Sequence, residues 1–138
     1  MAYFEPAAGA ELPPLSREIT QAKINRYAMV SGDGNPIHID PEFASRSAFR
    51  GPVAHGMLVL AYVSEMLAAA FGQDWPRSGR LKIRFRGPAR PGDTVTASGR
   101  IEKLENARAV CAIECRNQDG EVLISGDAAV SLSAKGQS

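Results

Sequence analysis

The two histidines of the chain, His38 and His55, are the side chains best suited to proton transfer near neutral pH. Asp33 precedes His38 by five residues, across a bend that contains glycine and proline. A bend of this kind can bring a carboxylate and an imidazole into one cavity, where they form an acid–base pair. His55 precedes Gly56 at the start of a predicted helix, where free backbone N–H groups and the positive end of the helix dipole face any ligand.

Each of these features, taken alone, is also common in proteins that catalyse nothing. An aspartate in a glycine-rich bend, such as Asp33, is most often a turn residue, and Asn35 before Pro36 is typical of any turn. A histidine just before a helix, such as His55, is more often a structural hydrogen-bonding group than a base. The combination of these features therefore carries the hypothesis of catalysis.

The helix predicted to position these groups runs from Gly56 to Phe71. This stretch is rich in Leu, Met and Ala, contains no proline, and is followed by Gly72, a typical residue after a helix end. It is apolar nearly all round, which predicts a buried helix. Because it is shorter than a membrane span and holds Glu65, we expect protein to surround it. In a chain this small, a curved antiparallel sheet is the element able to wrap one helix.

The segment before this helix is predicted to contain a short strand and two helices. The strand covers residues 15–19. The first helix ends near Val30 and has Thr20 as its N-cap, and the second runs over 41–47 with Asp40 as its N-cap.

After the long helix, the pattern changes to alternation of apolar and polar residues. A loop over 72–79 is followed by four predicted strands, over 81–85, 95–104, 107–116 and 121–132. Helices followed by hairpin-linked strands indicate an α+β fold, and one long helix wrapped by such a sheet is the hot-dog arrangement. We expect a single domain over 15–133, a loose lead-in over 1–14 and a fraying tail over 134–138.

Composition limits the classes of partner. The chain is 44% hydrophobic and 22% charged, which is ordinary for a globular protein, and its net charge of +1 gives no broad attraction to nucleic acid or membranes. No basic segment followed by an apolar run opens the sequence, so the cytoplasm is the expected location. Cys111 and Cys115 lie in one predicted strand, roughly 13 Å apart, too far for a disulfide within it.

Three stretches of the sequence resemble a known family, the MaoC-like, (R)-specific enoyl-CoA hydratases, also called hydratase 2. Tyr27–Ala44, which contains the Asp33-to-His38 bend, looks like the signature of that family. Phe49–Leu58 resembles the segment that leads into its long helix, and Pro91–Val95 resembles a turn between its strands. The resemblance covers about residues 16–132.

The resemblance implies an enzyme that adds water across the trans-2 double bond of an enoyl thioester, or removes it in reverse. Carried over by position, Asp33 and His38 are the catalytic pair that activates the water. The N–H of Gly56 is the expected donor to the enolate oxygen that forms on the thioester. Three residues are expected to support the bend and the helix start: Ser31, Asn35 and His55.

Three residues of the long helix are expected to contact substrate: Met57, Ala61 and Tyr62. Some single-domain members have a serine where this chain has Ala61, so the acyl-chain preference is not carried over. The substrate is the thioester of coenzyme A or of an acyl carrier protein, and no metal or other cofactor is expected. Exposed basic residues could meet the phosphates of coenzyme A or an acidic carrier protein, or simply face solvent: Lys82, Arg84, Arg86 and Arg90.

We expect a homodimer, because a single sheet of this kind leaves strand edges uncovered. Two other functions share the fold. A hot-dog thioesterase would hydrolyse the thioester, and a non-catalytic subunit would only shape the acyl tunnel of a heteromeric dehydratase. The intact bend with Asp33, Asn35 and His38 argues against both.

Overall fold

The long central helix and the strands that surround it are seen in a computed structural model, which describes residues 4–133. In chain order the elements are β1 (Leu15–Glu18), α1 (Gln21–Ser31), α2 (Pro36–Ile39), α3 (Pro41–Ser45), α4 (Gly56–Phe71), α5 (Asp74–Ser78), β2 (Arg80–Phe85), β3 (Thr94–Glu105), β4 (Arg108–Arg116) and β5 (Val122–Ser131).

The five strands form one antiparallel sheet in the order β1-β3-β4-β5-β2. Buried side chains alternate along β4, as period two requires for a strand with one face in the core: Ala109, Cys111, Ile113 and Cys115. Helix α4 packs on this inner face, against β1, β3 and β4. The structure confirms the α+β prediction and the arrangement of a sheet around one long helix.

The buried side of α4 is apolar and closely packed. Its buried residues fall at helical spacing: Leu58, Val59, Val63, Met66, Leu67 and Phe71. The opposite side, which includes Met57, Ala61 and Glu65, is exposed. The sheet of a single chain thus covers the inner side of α4 and leaves the opposite side exposed.

The helix ends follow the capping residues that the sequence predicted. The Thr20 hydroxyl accepts the Lys23 N–H at 3.1 Å and starts α1. The Asp40 carboxylate accepts two N–H groups of the first turn of α3. Helix α4 begins at Gly56 and ends at Phe71, as predicted, and Gly72 follows with φ of +58°.

Two short helices were missed. Helix α2 has Asn35 as its N-cap, with the side-chain oxygen 3.0 Å from the Ile37 nitrogen, and Pro36 at its first position. Helix α5 lies in the expected loop over 72–79 and tolerates Pro76 because a proline in the first turn breaks no helical hydrogen bond. Neither is long enough to show an apolar period.

The described part of the lead-in is not loose, contrary to the prediction. The N–H groups of Gly9 and Leu12 donate to the carbonyls of Ile101 and Gly99 on β3, at 2.7 and 2.9 Å. Leu12 is buried beside Gly99, where a Cβ would lie 2.9 Å from its Cδ1. This segment is held because it buries an apolar side chain. Residues 1–3 of the predicted lead-in, and the predicted tail over 134–138, lie outside the described residues.

The two cysteines are buried and unpaired, as expected. Burial raises the pKa of the Cys111 and Cys115 thiols to about 11, so both stay protonated at neutral pH. Within residues 4–133, every helix is too short or too polar to cross a membrane.

Candidate active site

Asp33, His38 and His55 come together at one place, although they belong to different local structures. Asp33 lies in the loop between α1 and α2, His38 lies in α2, and His55 is the N-cap of α4. One potential ligand atom from each lies within 4.8 Å of the other two. The predicted bend thus places a carboxylate beside an imidazole, and the start of α4 adds the second imidazole.

The tautomer of the neutral His38 ring follows from its hydrogen bond. Its Nδ1 lies 2.8 Å from the Val53 carbonyl oxygen. A carbonyl oxygen can only accept, so Nδ1 carries the proton and Nε2 keeps a free lone pair. The backbone carbonyl of His38 is held in turn by the side-chain amide of Gln21, which donates to it at 2.8 Å. His38 is therefore a half-buried imidazole with a fixed tautomer and a bare nitrogen that can accept a proton.

His55 is the most buried polar residue of the site, with 2% of its surface exposed. Its Nε2 lies 2.9 Å from the Asp33 carbonyl oxygen, so Nε2–H donates and Nδ1 is a bare acceptor without a partner among the described residues. Its ring stacks on that of His38, with centroids 3.8 Å apart and planes 25° from parallel. The ring of Tyr27 also packs against His55, at 4.8 Å.

The carboxylate of Asp33 is exposed and makes no ion pair in the described part of the chain. Asn35 donates its N–H to it at the long distance of 3.4 Å. The Ser31 hydroxyl accepts the Asp33 N–H at 3.1 Å, and the Asn35 side chain caps α2. Ser31 and Asn35 thus hold the backbone of the bend and leave the carboxylate free for a water molecule or a substrate.

A pocket of about 450 Å³ opens beside His38. Its lining is mostly apolar and comes from the α2 segment, the start of α4 and the end of β2: Ile37, His38, Phe49, Val53, Ala54, Gly56, Val59, Phe85, Arg86, Gly87, Pro88, Ala89 and Ile124. Asp33 and His55 do not line it, but each has a potential ligand atom within 4.8 Å of a ring nitrogen of His38. The pocket suits a mostly apolar ligand with one group presented to His38.

Gly56 places a backbone donor at this pocket. It is the first residue of α4, and its N–H donates no hydrogen bond within the described chain. Phe85 packs directly on it, because a Cβ at position 56 would lie 2.9 Å from the Phe85 ring. Because Gly56 has no side chain, the Phe85 ring can pack directly beside the residue whose N–H is free, and both residues line the pocket.

The three residues expected to contact substrate from α4 do not line the pocket. Met57 is 57% exposed, Ala61 is exposed, and Tyr62 is half-buried elsewhere on the helix. Burial is the main cause that raises the pKa of the Tyr62 hydroxyl. Successive helical residues are rotated by about 100°, so the residues of α4 that face the pocket are Gly56 and Val59.

Several residues of the site were missed from the sequence. Phe49 and Val53 fall in the stretch that resembles the family, so a signal for them existed. Gln21 and Phe85 carried none, because their positions at the site depend on which distant segments of the chain meet. Of the basic residues considered for phosphate binding, Arg86 lines the pocket, and its Nε donates to the Ser125 hydroxyl at 2.7 Å.

The same three groups, Asp33, His38 and His55, could also offer ligands to a metal ion. The two imidazole rings are stacked with their planes 25° from parallel and their centroids 3.8 Å apart, so their in-plane lone pairs lie in two separate, nearly parallel planes. A metal ion needs lone pairs that converge on one point. The arrangement therefore fits proton transfer better than metal binding, and a metal-free site stays our prediction.

The fold and the site together define a hot-dog protein with an aspartate and two histidines grouped beside the start of its central helix. The sequence profile described as "MaoC like domain" matches residues 4–121. The chain therefore belongs to the MaoC-like domain family.

Named relatives agree with this assignment. The chain is 33% identical over 124 residues to an (R)-specific enoyl-CoA hydratase of Aeromonas caviae, covering 86% of this chain and 90% of that protein. It is 33% identical over 139 residues to a 3-hydroxybutyryl-CoA dehydratase of Methylorubrum extorquens, covering 96% and 85%. The predicted family is confirmed, and with it the prediction of an enzyme of the hydratase and dehydratase class.

Solved structures confirm the hot-dog fold. The (R)-hydratase from A. caviae involved in PHA biosynthesis superposes with a TM-score of 0.80 at 30% identity, covering 93% of this chain and 98% of that chain. The ChsH1-ChsH2 complex from Mycobacterium tuberculosis also has a chain that superposes with a TM-score of 0.80, covering 94% of this chain and 100% of that chain. Its identity is 20%, so it supports the fold alone.

Proposed function

We propose that this protein adds water to trans-2-enoyl thioesters to give (R)-3-hydroxyacyl thioesters, and catalyses the reverse dehydration. One observation carries the proposal: His38, which lies beside the Asp33 carboxylate, lines a pocket that is also lined by Gly56, whose N–H has no acceptor in the described chain. The names of the relatives support the substrate class, an acyl thioester of coenzyme A.

The chemistry follows from these three groups. A water molecule held between the Asp33 carboxylate and His38 gives a proton to the pair as its oxygen bonds to the β-carbon. The electron pair of the double bond moves through the α-carbon toward the thioester oxygen, and the N–H of Gly56 stabilises the negative charge there. A proton then returns from the pair to the α-carbon on the same face. Water thus supplies the hydroxyl group on the β-carbon and, through the acid–base pair, the proton on the α-carbon.

The test is steady-state hydration of enoyl-CoAs of graded chain length, beginning with crotonyl-CoA. Loss of the conjugated double bond is followed by absorbance, and the product is resolved by chiral chromatography. We expect turnover with an (R) product. Release of free coenzyme A thiol without loss of the double bond would instead indicate a thioesterase, and no reaction with any chain length would contradict the proposal. The same acyl groups on an acyl carrier protein test the preferred carrier.

We also propose that the protein acts without a metal or other cofactor, in the cytoplasm, as a homodimer. Met57 and Ala61 form an exposed apolar strip on α4, and β2 is an edge strand of the sheet. A second copy that covers both should bury more than roughly 1,000 Å². Activity should survive dialysis against EDTA. Sedimentation at micromolar protein should give a dimer, and a monomer would contradict this part of the proposal.

A further inference from the structure

His55 contacts both members of the catalytic pair, although it does not line the pocket. Its Nε2–H donates to the backbone carbonyl of Asp33, and its ring stacks on that of His38. His55 itself is the N-cap of α4, whose inner side is packed against the sheet. It therefore connects a well-packed helix to two groups that lie in short, loosely packed segments.

The loop that carries Asp33 has few other ties. Gly32 and Gly34 flank Asp33, and residues 31–36 are all exposed. The hydrogen bonds of Asp33 to Ser31 and Asn35 are local to the bend. Among the described residues, the bond from His55 is the one that joins residues 32–35 to a segment beyond α1 and α2. Without it, the carboxylate position would depend on turn geometry between two glycines.

The ring of His38 needs two restraints to aim its bare nitrogen. The Nδ1–H bond to Val53 sets the direction of the ring within its own plane. The stack on His55, at 3.8 Å, sets the tilt of that plane. Together the two contacts define the direction of the Nε2 lone pair.

The unpartnered Nδ1 of His55 is the second sign of a role beyond packing. A buried acceptor without a hydrogen bond lowers stability, and such groups call for an explanation. Donation from Nε2 to Asp33 requires the tautomer that leaves Nδ1 bare. The hydrogen bond from His55 to Asp33 is therefore kept at the cost of the stability that the unpaired Nδ1 loses.

We propose that His55 is a positioning residue, which fixes the Asp33 carboxylate and the His38 imidazole relative to each other. The predicted effect on kcat rests on the proposed hydratase function. The placement of Asp33 and His38 by His55 does not depend on that function. Displacement of a catalytic group by about 1 Å can cost about a hundredfold in rate. The effect should fall on kcat, with KM changed less than about threefold, because His55 does not touch the pocket.

Three variants separate the donor from the ring. His55→Gln keeps an N–H donor near Nε2 and loses the ring, His55→Phe keeps a ring and loses the donor, and His55→Leu loses both. We expect kcat to fall by about a hundredfold for His55→Leu and by about tenfold for the other two. Val63→Ala, a buried change on α4 away from the pocket, is the matched control. It should lower thermal stability and leave kcat within about twofold.

Nuclear magnetic resonance tests the same inference without relying on activity. The chain has only two histidines, so ¹⁵N spectra of histidine-labelled protein resolve both rings. We expect His38 as the Nδ1–H tautomer and His55 as the Nε2–H tautomer. In uniformly ¹⁵N-labelled protein, His55→Phe should shift the amide resonance of Gly34, whose nitrogen shares a peptide group with the Asp33 carbonyl.

Two results would overturn the inference: an Nδ1–H tautomer at His55, or a folded His55→Leu protein with kcat within about twofold of wild type. The expected tautomers in a wild-type protein that hydrates no enoyl thioester would leave the placement standing and refute the proposed function instead.

Discussion

The inner side of α4 and the bend that carries Asp33 are held in place by different kinds of contact. On α4, six buried apolar side chains pack against the sheet, so no single contact determines where the helix lies. Around the bend, the position of each group is determined by a single hydrogen bond to a backbone carbonyl: Gln21 to His38, His38 to Val53, and His55 to Asp33. Redundant packing tolerates the loss of one member, whereas a single directional bond does not.

The largest effect should come from the catalytic pair itself. Asp33→Asn and His38→Gln should each lower kcat at least roughly a hundredfold, the scale of general acid–base assistance. The double variant should be little worse than the poorer single one, because the two groups act on one water molecule. Both side chains are replaced by polar ones of similar size, so circular dichroism should be unchanged. A folded Asp33→Asn protein with near-wild-type turnover would refute the mechanism.

The opposite result is expected on the inner side of α4. Met66 is fully buried, and Met66→Ala should lower the free energy of unfolding by about 2–5 kcal/mol through lost burial and a cavity. Because Met66 does not line the pocket, kcat per folded molecule should stay within about twofold. Urea unfolding combined with kinetics below the transition measures both quantities. A large fall in kcat at full occupancy of the folded state would mean that core and site are not separable.

The same contrast explains how far the sequence predicted the structure. Helix α4 was predicted from its composition and from Gly72, the strands from their hydrophobic period, and the caps at Thr20 and Asp40 from residue type, all of which are local signals. The Asp33-to-His38 bend was predicted for the same reason. The bond from His55 to Asp33 was not, since it joins residues that are 22 positions apart and has no local pattern.

For a related reason, the sequence does not distinguish the two sides of α4. An apolar period identifies which residues avoid water, but not whether the same chain covers them. Met57 and Ala61 are apolar and yet exposed in the single chain, and neither lines the pocket, so their contact with substrate stays a prediction. The distinction between a pocket wall and a surface for a second copy depends on the number of strands that curl around the helix.

Two helix caps allow the same comparison of site and scaffold, with a smaller expected effect on kcat. The Asn35 side chain caps the start of α2, which carries His38. The Asp40 side chain caps the start of α3, which carries none of the site residues, and only the Asp40 backbone N–H bonds to α2, a bond that an alanine would keep. Replacement of either by alanine should cost about 1 kcal/mol of stability. Only Asn35→Ala should lower kcat, by about fivefold, because looser ordering of α2 affects the imidazole. Equal losses of kcat in the two alanine variants would mean that the site does not depend specifically on the cap of α2. As a control, Asn35→Asp keeps the acceptor oxygen and should restore activity.

The smallest effect concerns a polar contact within the fold, far from the pocket. The Asp74 carboxylate accepts a hydrogen bond from Arg77 at 2.6 Å, which is the main cause that lowers the pKa of Asp74, and another from the Ser133 N–H at 3.1 Å. A carboxyl group whose pKa is lower in the folded state stabilises the protein above its unfolded pKa, near 3.8. That stabilisation is lost as the pH falls through the pKa that Asp74 has in the folded state.

Asp74→Asn should therefore lower the free energy of unfolding by about 0.5–1 kcal/mol at pH 7, since solvent screens the half-exposed Arg77, and by progressively less below pH ~4. Thermal unfolding of both proteins from pH 7 to pH 2.5 measures the difference, and kcat at pH 7 should be unchanged. A stability difference that stays constant down to the lowest pH would show that the loss comes from packing and not from the charge of Asp74.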